Sequence, residues 1–187
     1  GLAQQRHRVV FALPHAGEAQ RDGLEQLHAL FEGEARAQGE AAHAVAEGAG
    51  QVLADAAELE QALVNLVLNA RDAMPGAGTV TLAARDAFFD SEEARLRPGL
   101  PQGRLVLLSV ADTGTGIPPE VMERLFEPFF TTKPPEKGSG LGLPAVYGFA
   151  RRSGGTAWAE SVPGKGATFF VALPRLAAPT SPTSGSG

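Results

Sequence analysis

No cysteine occurs in the 187 residues, which excludes disulfides and thiolate metal sites, and four scattered histidines without regular spacing argue against zinc. Cysteine usage leaves the redox compartment open, and the cytoplasm fits best. No apolar run approaches the roughly 20 residues a membrane helix needs, and no basic segment followed by an apolar stretch resembles a signal peptide. Basic charge is not in excess either. With 16 Lys and Arg against 21 Asp and Glu, the net charge of −5 draws no nucleic acid by an overall field, so a polyanion such as a nucleotide needs a local site. What the chain does have is 43% hydrophobic and 20% charged residues, enough at this length for one domain with a sizeable core. It starts at Gly1 and ends "TSPTSGSG", which reads as an excised piece whose tail, 177–187, is too polar to fold.

Periodicity places the elements. Asp22 and Glu25 open a first helix with Leu24, Leu27, Phe31 and Ala35 on one face. The Ala- and Gly-rich stretch 39–50 offers only a weak edge strand in "AAHAVA". A second helix begins at a capping box of Asp55 and Glu58, buries Leu59, Ala62, Leu63, Leu66 and Ala70, and ends at Pro75-Gly76. "TVTLAARD" alternates, "RLVLLSVAD" is a buried apolar run, and "TAWAESV" and "ATFFVALP" flank a "PGKG" hairpin turn. A short helix around 119–126 leads into a loop rich in Pro, Thr, Lys and Gly, which reads as mobile. The last helix starts near Leu141, since Pro144 is tolerated only in a first turn, and stops at Gly154. Helices and strands thus intermix in a two-layer α/β domain, without the regular alternation of a Rossmann sheet.

Four segments carry chemistry. "KGSGLGL" sets Gly138, Gly140 and Gly142 before the last helix, where free N–H groups and the helix dipole favour phosphate; a flexible linker would look the same. Asn65 and Asn69 stack four apart beside the apolar stripe, either as satisfied amides or as hard-oxygen ligands of the kind Mg²⁺ accepts. Asp112 ends the apolar strand with Gly114 and Gly116 beyond it. It could cap that turn or accept a hydrogen bond from an exocyclic amino group such as adenine's. In "PGKGATFFVALP" a hairpin explains the glycines, and Thr168 could reach the same ring.

Together and in this order, these segments resemble the ATP-binding catalytic domain of histidine kinases, in the superfamily of DNA gyrase, Hsp90 and MutL. "LEQALVNLVLNARDAM" is similar to that family's asparagine box, "DTGTGIP" to its first glycine box and "LFEPFFTTK" to its phenylalanine box. "GSGLGL" is similar to the second glycine box and "GKGATFFVALP" to the third. The resemblance spans roughly 22–174 and implies a Bergerat fold: an α/β two-layer sandwich with a mixed sheet and helices on one face. ATP then lies between helices and a lid rather than on a Walker loop, which this sequence lacks.

Carried over, the resemblance puts Asp112 on the adenine amino group, with Gly114, Gly116, Ile117 and Thr168 around the ring. It gives Mg²⁺ to Asn69 and support of metal and phosphates to Asn65. Phosphates would meet the backbone of Gly138, Ser139, Gly140, Leu141, Gly142 and Leu143. Phe126, Phe129 and Phe130 would anchor the lid, and Lys133 or Lys137 would reach the γ-phosphate. Related ATPases carry a water-activating glutamate where this chain has Asn65, and an amide cannot accept that proton, so poor hydrolysis is expected. Two positions depart from the family. Asp72, beside Arg71, stands where many kinases have a phosphate-binding lysine, and Pro144 stands where a small or hydroxylated residue is usual.

The implied reaction moves the γ-phosphoryl of Mg-ATP to a histidine on a dimerising helix hairpin, then to the receiver domain of a response regulator. His7, His15, His28 and His43 lack the acidic neighbour of a phosphoacceptor. Residues 1–21 therefore read as the end of that hairpin plus a linker, 22–176 as the catalytic domain, and the acceptor as upstream. The chain is expected to bind ATP without phosphorylating itself, touching neither nucleic acid nor membrane, in the cytoplasm, whether or not the intact protein is membrane-anchored. Two other readings remain: a degenerate nucleotide- or partner-binding module, favoured by Asp72 and Pro144, and a superfamily ATPase.

Overall fold

The computed structural model describes residues 8–12, 41–47, 50–75, 78–134 and 138–176. Along them run β1 (Arg8–Ala12), β2 (Ala41–Glu47), β3 (Gln51–Asp55), α1 (Ala56–Asp72), β4 (Thr79–Phe89) and α2 (Ser91–Leu96). Then come β5 (Gly103–Asp112), α3 (Pro119–Met122), α4 (Gly142–Arg152), β6 (Thr156–Ser161) and β7 (Ala167–Pro174). Five strands form a mixed sheet in the order β2-β4-β5-β7-β6. Only the β2–β4 pair is parallel among them. The weak strand in the Ala-rich stretch is thus real and sits at the sheet edge.

β5 is central, and its uninterrupted apolar run has a physical cause: both faces of the sheet are covered there. Val106 and Val110 face α1 and α4, in a core with Leu59, Leu63, Leu66, Val146 and Phe149. Burying each of these larger side chains stabilises the fold by about 1.5–3 kcal/mol. Leu105 and Leu107 face the other way, into a smaller cluster with Leu100 and Ala172. The β4–β5 connection, which begins with α2, closes this second face: Leu100 is buried, and the Arg97 guanidinium lies 4.8 Å from the Trp158 ring. α2 itself is held by a full capping box between Asp90 and Glu93. The two principal helices lie on one face, as the resemblance implies.

Three details differ from the sequence reading. Asp55 does cap α1 by accepting the Glu58 N–H at 3.0 Å, but the Glu58 carboxylate does not reach back, because it pairs with Arg152 of α4 at 3.1 Å. Residues 8–12, expected in a helical hairpin end and linker, form a strand antiparallel to β3, with Arg8 opposite Asp55. The β-branched and aromatic run Val9-Val10-Phe11 favours that conformation. The short helix near 119 is a single turn of four residues, Pro119–Met122. The helix expected from Asp22 lies outside the described residues.

Candidate functional site

A cleft of about 700 Å³ opens between α1, the end of β5, residues 130–133 and 138–140, the start of α4 and the start of β7. Its size is that of a small-molecule site. At its floor Asp112 is 6% exposed, which is rare for a carboxylate. Asp112 Oδ1 accepts from Gly114 N–H at 2.8 Å and Ala167 N–H at 3.3 Å. Among the described residues its Oδ2 accepts no hydrogen bond. Burial pushes the carboxyl above its ordinary pKa, against the pull of those two backbone donors. The surrounding loop is stapled in place: Ile117 N–H donates to Ser161 Oγ at 2.8 Å, Gly164 N–H to Thr115 O at 2.7 Å and Thr115 N–H to Ala73 O at 3.0 Å. Gly166 is backbone-to-backbone against Asp112 with φ +88°, and a Cβ there would run into the Asp112 carbonyl.

The opposite wall is α1. Asn65 Nδ2 donates to Gly142 O at 3.4 Å while Asn65 Oδ1 accepts from Gln61 at 3.2 Å, so this amide ties α1 to the start of α4. One turn on, Asn69 Oδ1 accepts from Lys133 Nζ at 3.0 Å. The same ammonium donates to Asp72 Oδ2 at 2.6 Å, and Arg71 pairs with Asp72 Oδ1 at 3.1 Å. Burial raises the Asp72 pKa, but the two cations outweigh it and hold the carboxyl below its ordinary value.

The lid over this wall has an apolar root and a strained hinge. Phe126 packs on Tyr147 with ring centroids 5.4 Å apart, and the Arg124 guanidinium lies 4.2 Å from the Phe130 ring. Phe129 has φ +65°, among described residues the only left-handed one that is not glycine, an uncommon state for a bulky side chain. Its N–H donates to Gly140 O at 2.9 Å, closing the base of the lid. Beyond it, Leu141 caps α4 without any side-chain hydrogen bond to the first turn. Pro144 occupies that turn and has no N–H, so the first-turn amides beside the cleft belong to Gly142 and Leu143, both of which line it.

Of the residues proposed from sequence, Asn65, Asn69, Asp112, Gly116, Ile117, Lys133, Gly138, Ser139, Gly140, Gly142 and Leu143 line this one cleft. Gly114 acts from behind, through Asp112, and Phe126 from the lid root. Leu141 is off the wall, with its N–H 3.4 Å from Ser139 Oγ. Thr168 is also off it. Strand alternation turns Ala167 and Phe169 to the cleft and the helices and puts Thr168 on the far face with Phe170. Lys137 lies outside the described residues. The sequence reading missed the apolar wall of Val121, Leu125, Ala167 and Phe169, and it took Asp72 for a departure rather than a partner of Lys133. The spacing of Asn69 and Asp72, three apart on one helix, shows that the two share a face but does not name the lysine.

Among the described residues no group of three or more His, Cys, Asp or Glu could hold a metal ion. A divalent ion here would depend on the ligand's own oxygens and water, as Mg²⁺ commonly does with phosphates. The residues fit such an ion: Asn69 Oδ1 is a hard oxygen already engaged by a cation, the Lys133 ammonium. No helix among the described residues is long and apolar enough to cross a membrane.

Comparison with known proteins agrees with this geometry. Sensor kinase CckA of Brucella abortus is 50% identical over 126 residues, which are 67% of this chain and 13% of that protein, so the chain spans a small part of that relative's length. The catalytic domain of histidine kinase ThkA superposes with a TM-score of 0.68 at 27% identity, covering 90% of this chain and 98% of the other. The same kinase matches in complex with response regulator protein TrrA, with TM-score 0.65 and 25% identity over 90% of this chain and 42% of that one. Full-length ShkA in complex with AMPPNP matches with TM-score 0.66 and 30% identity, covering 90% of this chain and 34% of that one. The family described as histidine kinase-, DNA gyrase B-, and HSP90-like ATPase matches residues 54–177. The chain belongs to that family, with the fold of a sensor histidine kinase's catalytic domain.

Proposed function

We propose that the cleft binds Mg-ATP and that the domain transfers its γ-phosphoryl to a histidine of a dimerisation domain, for relay to a response-regulator receiver domain. The observation that carries this reading is Asp112: a buried carboxylate with one oxygen fixed by backbone donors and the other left to accept, at the floor of a cleft. That oxygen would take the adenine amino group. The Gly142 and Leu143 amides would meet phosphate, and Asn69 would hold Mg²⁺, which neutralises phosphate charge when bound. Lys133 would reach the γ-phosphate.

In the transfer, an imidazole nitrogen bonds to the γ-phosphorus while the bond to the β–γ bridging oxygen breaks and ADP leaves. Such a step needs placement and charge neutralisation more than a protein base. Asn65 supplies no base, and its amide is committed to Gln61 and Gly142, so water attack goes unassisted. The catalytic domain spans 22–176, and the linker before it lends β1 to the smaller sheet. We place its action in the cytoplasm.

The test supplies a dimerisation domain in trans with γ-labelled ATP. An acid-labile phosphohistidine on that domain, with little phosphate released by this chain alone, is the expected result. Steady hydrolysis by the chain alone, or nucleotide binding with no transfer, would overturn it.

A further inference from the structure

The oxygen suited to a metal is in use. Lys133 Nζ lies 3.0 Å from Asn69 Oδ1 and 2.6 Å from Asp72 Oδ2. Asn69 and Asp72 rise from one face of α1, whereas Lys133 arrives from the lid, 61 residues beyond Asp72. Asp72 gives its other oxygen to Arg71 at 3.1 Å. One carboxylate with two cations on it makes a cluster of net charge +1, so the phosphate cleft keeps positive charge here in spite of the acidic residue.

A divalent ion and an ammonium cannot share Asn69 Oδ1 without strong like-charge repulsion at contact distance. One must leave. Only Lys133 has somewhere to go, because its stem is flexible and phosphate arrives together with the metal.

We propose that Lys133 is the resident cation of the metal seat: Asp72 holds its ammonium on Asn69 Oδ1 in the empty domain, and a divalent ion entering with nucleotide displaces it toward the phosphates. The inference rests on the Mg-nucleotide reading of the cleft. Asp72 is then a positioning residue that keeps a lid cation next to the phosphate path. Displacement also breaks the side-chain tie of this turn to α1, leaving it closed only by its own Lys133 N–H to Thr131 Oγ1 bond. The base of the lid stays tied by Phe129 and Gly140.

The test uses ADP, which has no γ-phosphate for the released lysine to meet. ADP affinity is measured by calorimetry with and without Mg²⁺, and the ratio of the two is the metal effect. In Lys133→Met the metal finds Asn69 unoccupied, so this effect should exceed the parent's by roughly five- to tenfold, the scale of a typical coupling. Amide exchange reads the lid independently. Mg-ADP should quicken exchange at 131–133 in the parent. In empty Lys133→Met and empty Asp72→Asn those amides should already exchange fast. An equal or smaller metal effect in Lys133→Met overturns the proposal, as does parent-like lid exchange in Asp72→Asn. A parent chain that binds no ADP under either condition overturns the nucleotide reading itself, whereas binding with an unchanged metal effect removes the resident cation alone.

Discussion

Asp112 is a carboxyl held against its own solvation. Burial raises its pKa and two backbone donors only partly restore it, so the folded value lies above the unfolded one. This group's contribution to stability is therefore fully present below the unfolded carboxylate range and is lost as pH rises through the raised value. Asp112→Asn, neutral at every pH, should then melt above the parent at neutral pH, with the gap closing on acidification through the carboxylate range. Its affinity for nucleotide should move the other way. Losing a hydrogen bond to a charged acceptor costs about 1.5–3 kcal/mol, or roughly ten- to hundredfold. Calorimetry and pH-dependent melting check the two halves: unchanged affinity would remove Asp112 from the site, and a lower neutral-pH midpoint would mean that the carboxylate supports the empty fold. At this scale the sequence was legible where chemistry is local, as at Asp112 with its two following glycines. It misled at Thr168, because Phe169 and Phe170 are both apolar and alternation then cannot say which parity faces the helices. The tie of Lys133 to Asp72 and Asn69 was not legible, because those partners sit 61 and 64 positions away, beyond any local signal.

The lid is an element with one structural joint. Gly140 has φ +67°, and a Cβ on it would approach the Phe129 carbonyl carbon to 2.5 Å. Gly140→Ala must therefore pay about 1–2 kcal/mol for the left-handed backbone and also push Phe129 away. The joint should open while the core, which lies under α1 and α4, stays intact. Exchange at 129–134 is expected to rise and nucleotide affinity to fall, with a melting midpoint within about 2–4 °C of the parent, the equivalent of about 1 kcal/mol in a domain this size. Unaltered lid exchange together with a large drop in the midpoint would place Gly140 in the core's cooperative unit instead. Elements whose signals are periodic were legible this way: α1, α4, β4, β5 and the β6–β7 hairpin all lie where their apolar spacing puts them. β1 was not, since five residues beside a linker gain strand structure only by pairing with β3. α2 was overlooked although its Asp90–Glu93 capping box is printed in the sequence, because six residues with no buried side chain show no periodicity.

Across the molecule, the two sheets of the described residues meet at the end remote from the cleft. Asp86 of β4 accepts the Gly50 N–H at 2.6 Å through one oxygen and meets Arg175 Nε at 2.9 Å through the other. The Arg175 contact is an ion pair off the line of a good hydrogen bond, since Nε is buried without an aligned acceptor. Beside it, Val52 of β3 bridges Arg175, and Leu176 N–H donates to Gln51 O at 2.7 Å, so the chain after β7 carries the smaller sheet. Asp86 opposes Val106, while the cleft end of β4 has Val80 opposite Asp112. Six residues of strand separate the two rows by about 20 Å. Asp86→Ala leaves the guanidinium without its carboxylate and Gly50 without its acceptor, which should lower unfolding free energy by about 1–3 kcal/mol. Asp86→Asn keeps one acceptor oxygen, enough for the Gly50 N–H but not for the guanidinium as well, and should lose less than the alanine. Because the junction and the nucleotide cleft share no side chain, Asp86→Ala should bind Mg-AMPPNP with parental affinity at a temperature where both proteins are folded. Chemical denaturation and calorimetry on the same samples decide it: an unmoved midpoint would show that the smaller sheet is held by β-bridging alone, and a weakened nucleotide would show that the two ends of β4 are coupled through the sheet.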